Sequence, residues 1–239
     1  MQDGIRTLSS QDIQAVSATR MEQIGAIGQT EDGRIFRYAQ AGAGALAAGS
    51  LAVSGAIAAN STNLAIPAQA ASNLAAGSLT LVVTNGSTAV TADQFAEGFV
   101  EVLGAGGGFA VRVRGNNAAG NGGAITLLLA EPLTAAVVAG TNTVNVTASE
   151  YVGVVASLTA SLPVGVVRTA LPASNYGWLQ TYGHCLIAAT GAIVKGAAIS
   201  QDSATTAGNV ATASGVLYQV GVAKETAANG FVAARVALD

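Results

Sequence analysis

The chain has 239 residues, enough for one or two domains with a real core; 51% of it is hydrophobic, only 10% is charged, and the net charge is −3. Every long apolar window is broken by Gly, Ser, Thr, Asn or Pro, so no run of about 18 residues suits a membrane span. No basic run offers a footprint for nucleic acid, and a single Cys allows no intrachain disulfide.

The charge content is well below the roughly 25% usual for a soluble domain, which fits a protein whose surface is largely occupied by neighbours. The first twenty residues, MQDGIRTLSSQDIQAVSATR, are polar and contain no apolar segment of the signal-peptide type. Residues 1–21 therefore read as an N-terminal arm, flexible or with a short helix starting near Ser10, and too charged to form a core element. The glycosylation-type triplets at Asn60, Asn85 and Asn145 are chance matches in a Ser/Thr-rich chain.

After the arm, Asp32-Gly33 signals a hairpin between Ile24–Thr30 and Arg34–Tyr38, with Phe36 and Tyr38 on one face of the second strand. Short β-type runs follow at Leu79–Val83, Phe99–Leu103, Phe109–Arg114, Ala124–Ala130, Thr143–Thr147, Val152–Val155, Tyr176–Ile187, Val216–Val222 and Phe231–Leu238. Asn85-Gly86 reads as a further tight turn. Residues 60–75 and 157–174 read as connecting loops, the second holding two of the four prolines. The hexapeptide Leu-Ala-Ala-Gly-Ser-Leu occurs at 46–51 and 74–79, with an echo at 192–197; each copy reads as a turn that places Gly between strands. The expected class is mainly β, built from short-stranded barrel or sandwich modules. The expected organisation is the arm (1–21), a hairpin region (22–62) joining a C-terminal β module (151–239), and an inserted β module (63–150).

Catalytic machinery is scarce. Gly104 to Gly108 is glycine-rich, but an alternating strand follows it where a phosphate loop requires a helix, so a hairpin loop is expected. One His beside one Cys builds no tetrahedral metal site; a metal on a subunit axis, with one His184 from each copy, is the single arrangement these ligands allow. There is no Gly-x-Ser-x-Gly elbow, and Glu97 and Glu101 would lie about 13 Å apart along a strand. Neither catalytic residues, nor a cofactor, nor a metal centre is expected.

The rare side chains gather instead in NYGWLQTYGHC, residues 175 to 185, which holds the only Trp, His and Cys and two of five Tyr. On a strand, Tyr176, Trp178, Gln180, Tyr182 and His184 share one face. An aromatic stripe with polar tips suits the chain's own core or a half-buried surface such as a subunit contact, with a surface for a different partner as the alternative. With Phe36 and Tyr38 from the hairpin, Tyr176, Trp178, Tyr182 and His184 are the candidate subunit or partner interface.

RIFRYAQAGAGALAAGSL (34–51), STNLAI (61–66), ADQFAEGFVEV (92–102) and NYGWLQTYG (175–183), in this order, resemble the decoration or cement proteins of tailed-phage capsids. The resemblance runs over most of residues 22–239 and is strongest at 176–183. It implies a β-rich, non-enzymatic virion protein, often a homotrimer, that binds the outside of the shell with the major capsid protein as partner. It implies no catalytic residues, and the charge and apolar patterns above lead to the expectation of neither a nucleic-acid nor a membrane partner. A phage tail or fibre subunit or a surface adhesin is the alternative, and a β-fold glycan hydrolase a distant one. Fibres usually show longer periodicity than this chain has, and adhesins need an export signal.

Overall fold

The computed structural model describes residues 5–55, 61–104, 107–157, 161–213, 218–228 and 230–238. The chain begins with β1 (Arg6–Thr7), a 3-10 turn at Asp12–Gln14, β2 (Ile27–Gln29), β3 (Ile35–Gln40) and β4 (Leu51–Val53). The middle supplies β5 (Leu64–Ala65), a one-turn helix α1 (Ala71–Leu74), β6 (Thr80–Thr84), β7 (Phe99–Gly104), β8 (Gly107–Asn116), β9 (Ala124–Leu129) and β10 (Thr143–Thr147). The last third holds β11 (Pro163–Val167), β12 (Tyr176–Ala189), β13 (Ala198–Gln201), β14 (Val210–Thr212), β15 (Gln219–Ala223) and β16 (Gly230–Ala237). The protein is mainly β with barrel- or sandwich-like sheets, and no described helix is long and apolar enough to cross a membrane.

The chain divides into two compact units, residues 56–149 and the combination of 1–55 with 150–239. In the first, six antiparallel strands run in the order β5-β10-β7-β8-β9-β6. Strict alternation puts Leu81 and Val83, Val100 and Val102, Val111 and Val113, Ile125 and Leu127, and Val144 and Val146 into one core with Phe95. The segment that follows β5 reaches the other edge strand, β6, through a side chain. Gln69, just past β5, donates from Nε2 to the Val82 carbonyl (2.9 Å) and accepts the Val82 N–H on Oε1 (3.0 Å). That amide does for β6 what a ladder partner would do.

In the second unit, β12 pairs with β16, β16 with β15, β15 with β13, β13 with β14, and β14 again with β12, which closes a ring of five strands. The first half of the 14-residue β12 carries β3 and β11, extending to β2, β1 and β4. One strand therefore serves two cores. Trp178 and Leu179 enter a cluster with Leu8, Ile24, Phe36 and Tyr38, whereas Cys185, Ile187 and Ala189 enter a cluster with Val210, Val220, Val232 and Val236.

The Asp32-Gly33 turn forms as expected: β2 and β3 pair antiparallel, Thr30 N–H donates to the Arg34 carbonyl (3.0 Å), and Gly33 sits at φ +82°, a region that favours Gly. The hexapeptide copies are turns whose glycines, Gly49 and Gly77, have positive φ, and Gly196 repeats the feature in the echo.

Several expectations need correction. Residues 157–174 contain β11, whose five residues are all buried; with both faces covered, no alternation marks it in the sequence. Val152–Val155 makes isolated bridges from Val154 and Val155 in place of a strand. Residues 60–75 include β5 and α1. Asn85-Gly86 ends β6 without making a hairpin, since β6 pairs with β9, and the buried Asn85 amide donates to the carbonyls of Thr88 and Gly120. Ala105 and Gly106 of the glycine-rich loop lie outside the described residues, as do Asn60 and the first two residues, Val216 and Leu217, of the expected strand Val216–Val222, the rest of which overlaps β15.

Residues 5–21 are also more than an arm. The short helical turn is present at Asp12–Gln14, but Leu8 and Ile13 are buried, Arg6 and Thr7 pair with β2, and Ser17 bridges Tyr176. Arg6 pairs with Asp12 and Glu22, so several of the charges that make this segment look solvated are spent on one another. Its two buried apolar side chains, Leu8 and Ile13, obey no period because they flank a turn.

Candidate functional site

The site is built around the middle of β12. Its first residues face β3 in the register Tyr176 to Gln40, Trp178 to Tyr38 and Gln180 to Phe36. Trp178 meets Tyr38 edge-on, with centroids 5.2 Å apart and planes at 65°, and Tyr38 stacks on Tyr176 at 6.1 Å. The Tyr38 hydroxyl accepts the Met21 N–H at 3.1 Å, so its buried polar end is satisfied; burial pushes its pKa up.

This trio belongs to the chain's own core. Phe36, Tyr38 and Trp178 are 0%, 3% and 5% exposed, which corrects their assignment to a subunit or partner surface. The cause is the N-terminal segment. Leu8 packs over Gly28 on β2, where a Cβ would stand 2.3 Å from Leu8 Cδ1 and 3.0 Å from Trp178 Cζ3. The aromatic face is thus capped from within.

The stripe then breaks. Between Gln180 and Tyr182 the register slips by one residue against β3, so that Tyr182 faces Ile35. Gly183 follows at φ +99°, where a Cβ would meet Arg34 Cγ at 2.9 Å. Gln180, fully buried, donates from Nε2 to the carbonyls of Tyr182 (3.1 Å) and His184 (2.9 Å), replacing ladder bonds across the irregularity. Beyond it, β12 alternates: Cys185 and Ile187 point inward, and His184 and Leu186 point out.

At this break lies an open cleft of about 590 Å³. Asp32 and Arg34 reach it from the hairpin turn, Arg168 from the end of β11, Tyr182 and His184 from β12, and Lys224 and Arg235 from β15 and β16. Four of the chain's ten Lys and Arg thus line one concavity, with Asp32 as the only acid among its described lining residues. Arg34 Nε donates to both Asp32 oxygens, 3.0 and 2.8 Å away; this and a Thr30 hydrogen bond hold the Asp32 carboxyl down to about 2. Arg235 lies over the Tyr182 ring, 5.2 Å from its centroid, and donates to the Tyr182 hydroxyl. Arg168 Nε is shielded from solvent and has no hydrogen-bond partner among the described residues.

Of the six residues singled out from sequence, the structure brings Phe36, Tyr38, Tyr176 and Trp178 into one core and sends Tyr182 and His184 to the cleft. Sequence reasoning missed the cations, because residues 34, 168, 224 and 235 share no motif and meet only through strand pairing. Among the described residues no group of three His, Cys, Asp or Glu is placed as metal ligands. The Cys185 thiol is pushed up to about 11 by burial, partly opposed by Arg168, so it is no ready nucleophile. Compared with family models, curated proteins and solved structures, the chain matches none.

Proposed function

We propose that this chain is a structural virion protein, a decoration or cement protein that binds the outer surface of a tailed-phage head and stabilises capsomer junctions. In this reading it acts as a homo-oligomer, a trimer by the resemblance, with the major capsid protein as partner, and performs no catalysis. The observation that carries the reading is its surface. Among the described residues thirteen large apolar side chains are exposed, including Phe99, Leu128, Leu186, Val194, Tyr218 and Phe231, on a chain with only 23 charges, 10 basic plus 13 acidic.

Apolar surface of this kind gains about 25 cal/mol for each Å² that a neighbour covers, though ordering and desolvation take back much of the gain. Repeated over a shell, a modest contact per copy becomes a large total. The order of the four motifs that resemble those of cement proteins supports the particular assembly; the surface alone supports only a protein covered by neighbours.

Two measurements test the proposal. Sedimentation of the purified chain is expected to give a compact oligomer, and the chain is expected to co-sediment with heads assembled from the major capsid protein of its own phage and to raise their melting temperature. A stable monomer that leaves such heads unchanged overturns the reading. An elongated oligomer points to a fibre subunit.

A further inference from the structure

The cationic cleft at the β12 break is used by neither core. From its geometry we infer that it is a docking site for an acidic protein segment carrying several carboxylates and at least one apolar side chain. This rests on the reading of the chain as an assembly protein, and supplies the chemistry of one of its contacts.

Charge is the first argument. Arg34, Arg168, Lys224 and Arg235 face a single carboxylate, Asp32, a local surplus of three positive charges (four minus one) on a chain whose net charge is −3. Like charges gathered on an acidic protein repel one another and gain from an anionic partner. Arg168, half-buried at the end of β11, adds a guanidinium to the cations that line the cleft.

The neighbouring surface says what else the partner carries. The strand register sets His184 beside Arg235 and Arg235 beside Val222, Leu186 beside Ala233, and Ala188 beside Phe231, all on the outward face. Leu186, Val222 and Phe231 are 48%, 39% and 51% exposed. Cations interleaved with apolar side chains fit an amphipathic acidic peptide better than a bare inorganic anion. The donors also argue against a compact phosphate site. Such sites use backbone N–H groups at a helix start or a nest, whereas here β12 and β16 are paired along this stretch and the charge comes from long side chains. Guanidinium forks suit planar carboxylates, and Arg34 already holds Asp32 through both oxygens.

The test uses the full-length chain and fluorescently labelled hexaglutamate, read by anisotropy at low ionic strength. Binding is expected, weakening as salt rises. Arg168→Gln and Lys224→Glu are each expected to weaken it about tenfold or more, while Arg114→Glu, with the same charge change as Lys224→Glu at an exposed site of the other unit that does not line the cleft, is expected to change it less than about threefold. Unchanged melting of each variant separates lost docking from lost fold, and Lys224 is exposed, so its variant tests the site even if Arg168→Gln unfolds. No binding, or an equal loss in Arg114→Glu, overturns the inference. Tripolyphosphate or a short single-stranded DNA binding more tightly than hexaglutamate also overturns it, by reassigning the cleft to phosphate. Hexaglutamate binding that depends on the cleft, in a chain that ignores capsids, would leave this inference standing and the virion proposal refuted.

Discussion

Replacing Trp178 by Ala is expected to be the most damaging single aromatic truncation in the chain. Trp178 is 5% exposed, meets Tyr38 edge-on at 5.2 Å, and shares the space above Gly28 with Leu8. Truncating a large aromatic in a packed core costs about 3–5 kcal/mol, of which an edge-on ring pair supplies roughly 1 kcal/mol. Against a typical domain stability of about 5–15 kcal/mol, that is roughly a fifth or more of what holds the unit together. Leu8→Ala made in the same background is expected to be non-additive by roughly 0.5–3 kcal/mol, because the two side chains line one space. The assay is urea unfolding followed by far-UV circular dichroism, since the variant lacks the sole Trp, with hydrogen exchange of β3 and β12 amides to locate the loss. A loss below about 1 kcal/mol at unchanged denaturant slope, with β3 and β12 still fully protected, would refute the packing argument.

A chain starting at Glu22 is expected to lose roughly 3–6 kcal/mol, from deleting the buried Leu8 and Ile13 at about 1.5–3 kcal/mol each, which urea titration would read directly; an unchanged midpoint would return the segment to a loose arm. Gln180→Ala, which removes two donors bridging the break in β12, is expected to cost about 2–4 kcal/mol and to speed amide exchange near Gly183. Cys185, 1% exposed, is expected to resist a thiol reagent in the native chain and react at once in denaturant. Its thiol titrates near 11 when folded against 9.0 for the ordinary group, so the folded state holds its proton longer. Stability from this group is therefore intact below pH 9 and falls between about pH 9 and 11, a decline that Cys185→Ala should flatten.

The local signals were legible because their causes are local. Asp32-Gly33 announces its hairpin through a glycine at positive φ, and Thr143–Thr147 and Ala124–Leu129 announce strands by alternation, since each has one buried face. Where that condition fails, the pattern fails too. Pro163–Val167 is covered on both faces and looks like a loop, and the first half of β12 buries Trp178, Leu179, Gln180 and Thr181 in succession. The aromatic stripe was visible in the sequence, but which way it faced depended on Leu8 and Ile13, some 165 residues earlier in the chain, folding over it. The cleft was invisible for the same reason. Arg34, Arg168, Lys224 and Arg235 come together only because β12 pairs with β3 at one end and β16 at the other, with Gly183 turning the strand between them. Alternation and turn chemistry act over a few residues, whereas covering a face or gathering like charges requires partners distant in sequence, and those are chosen by the closed set of strand pairings as a whole.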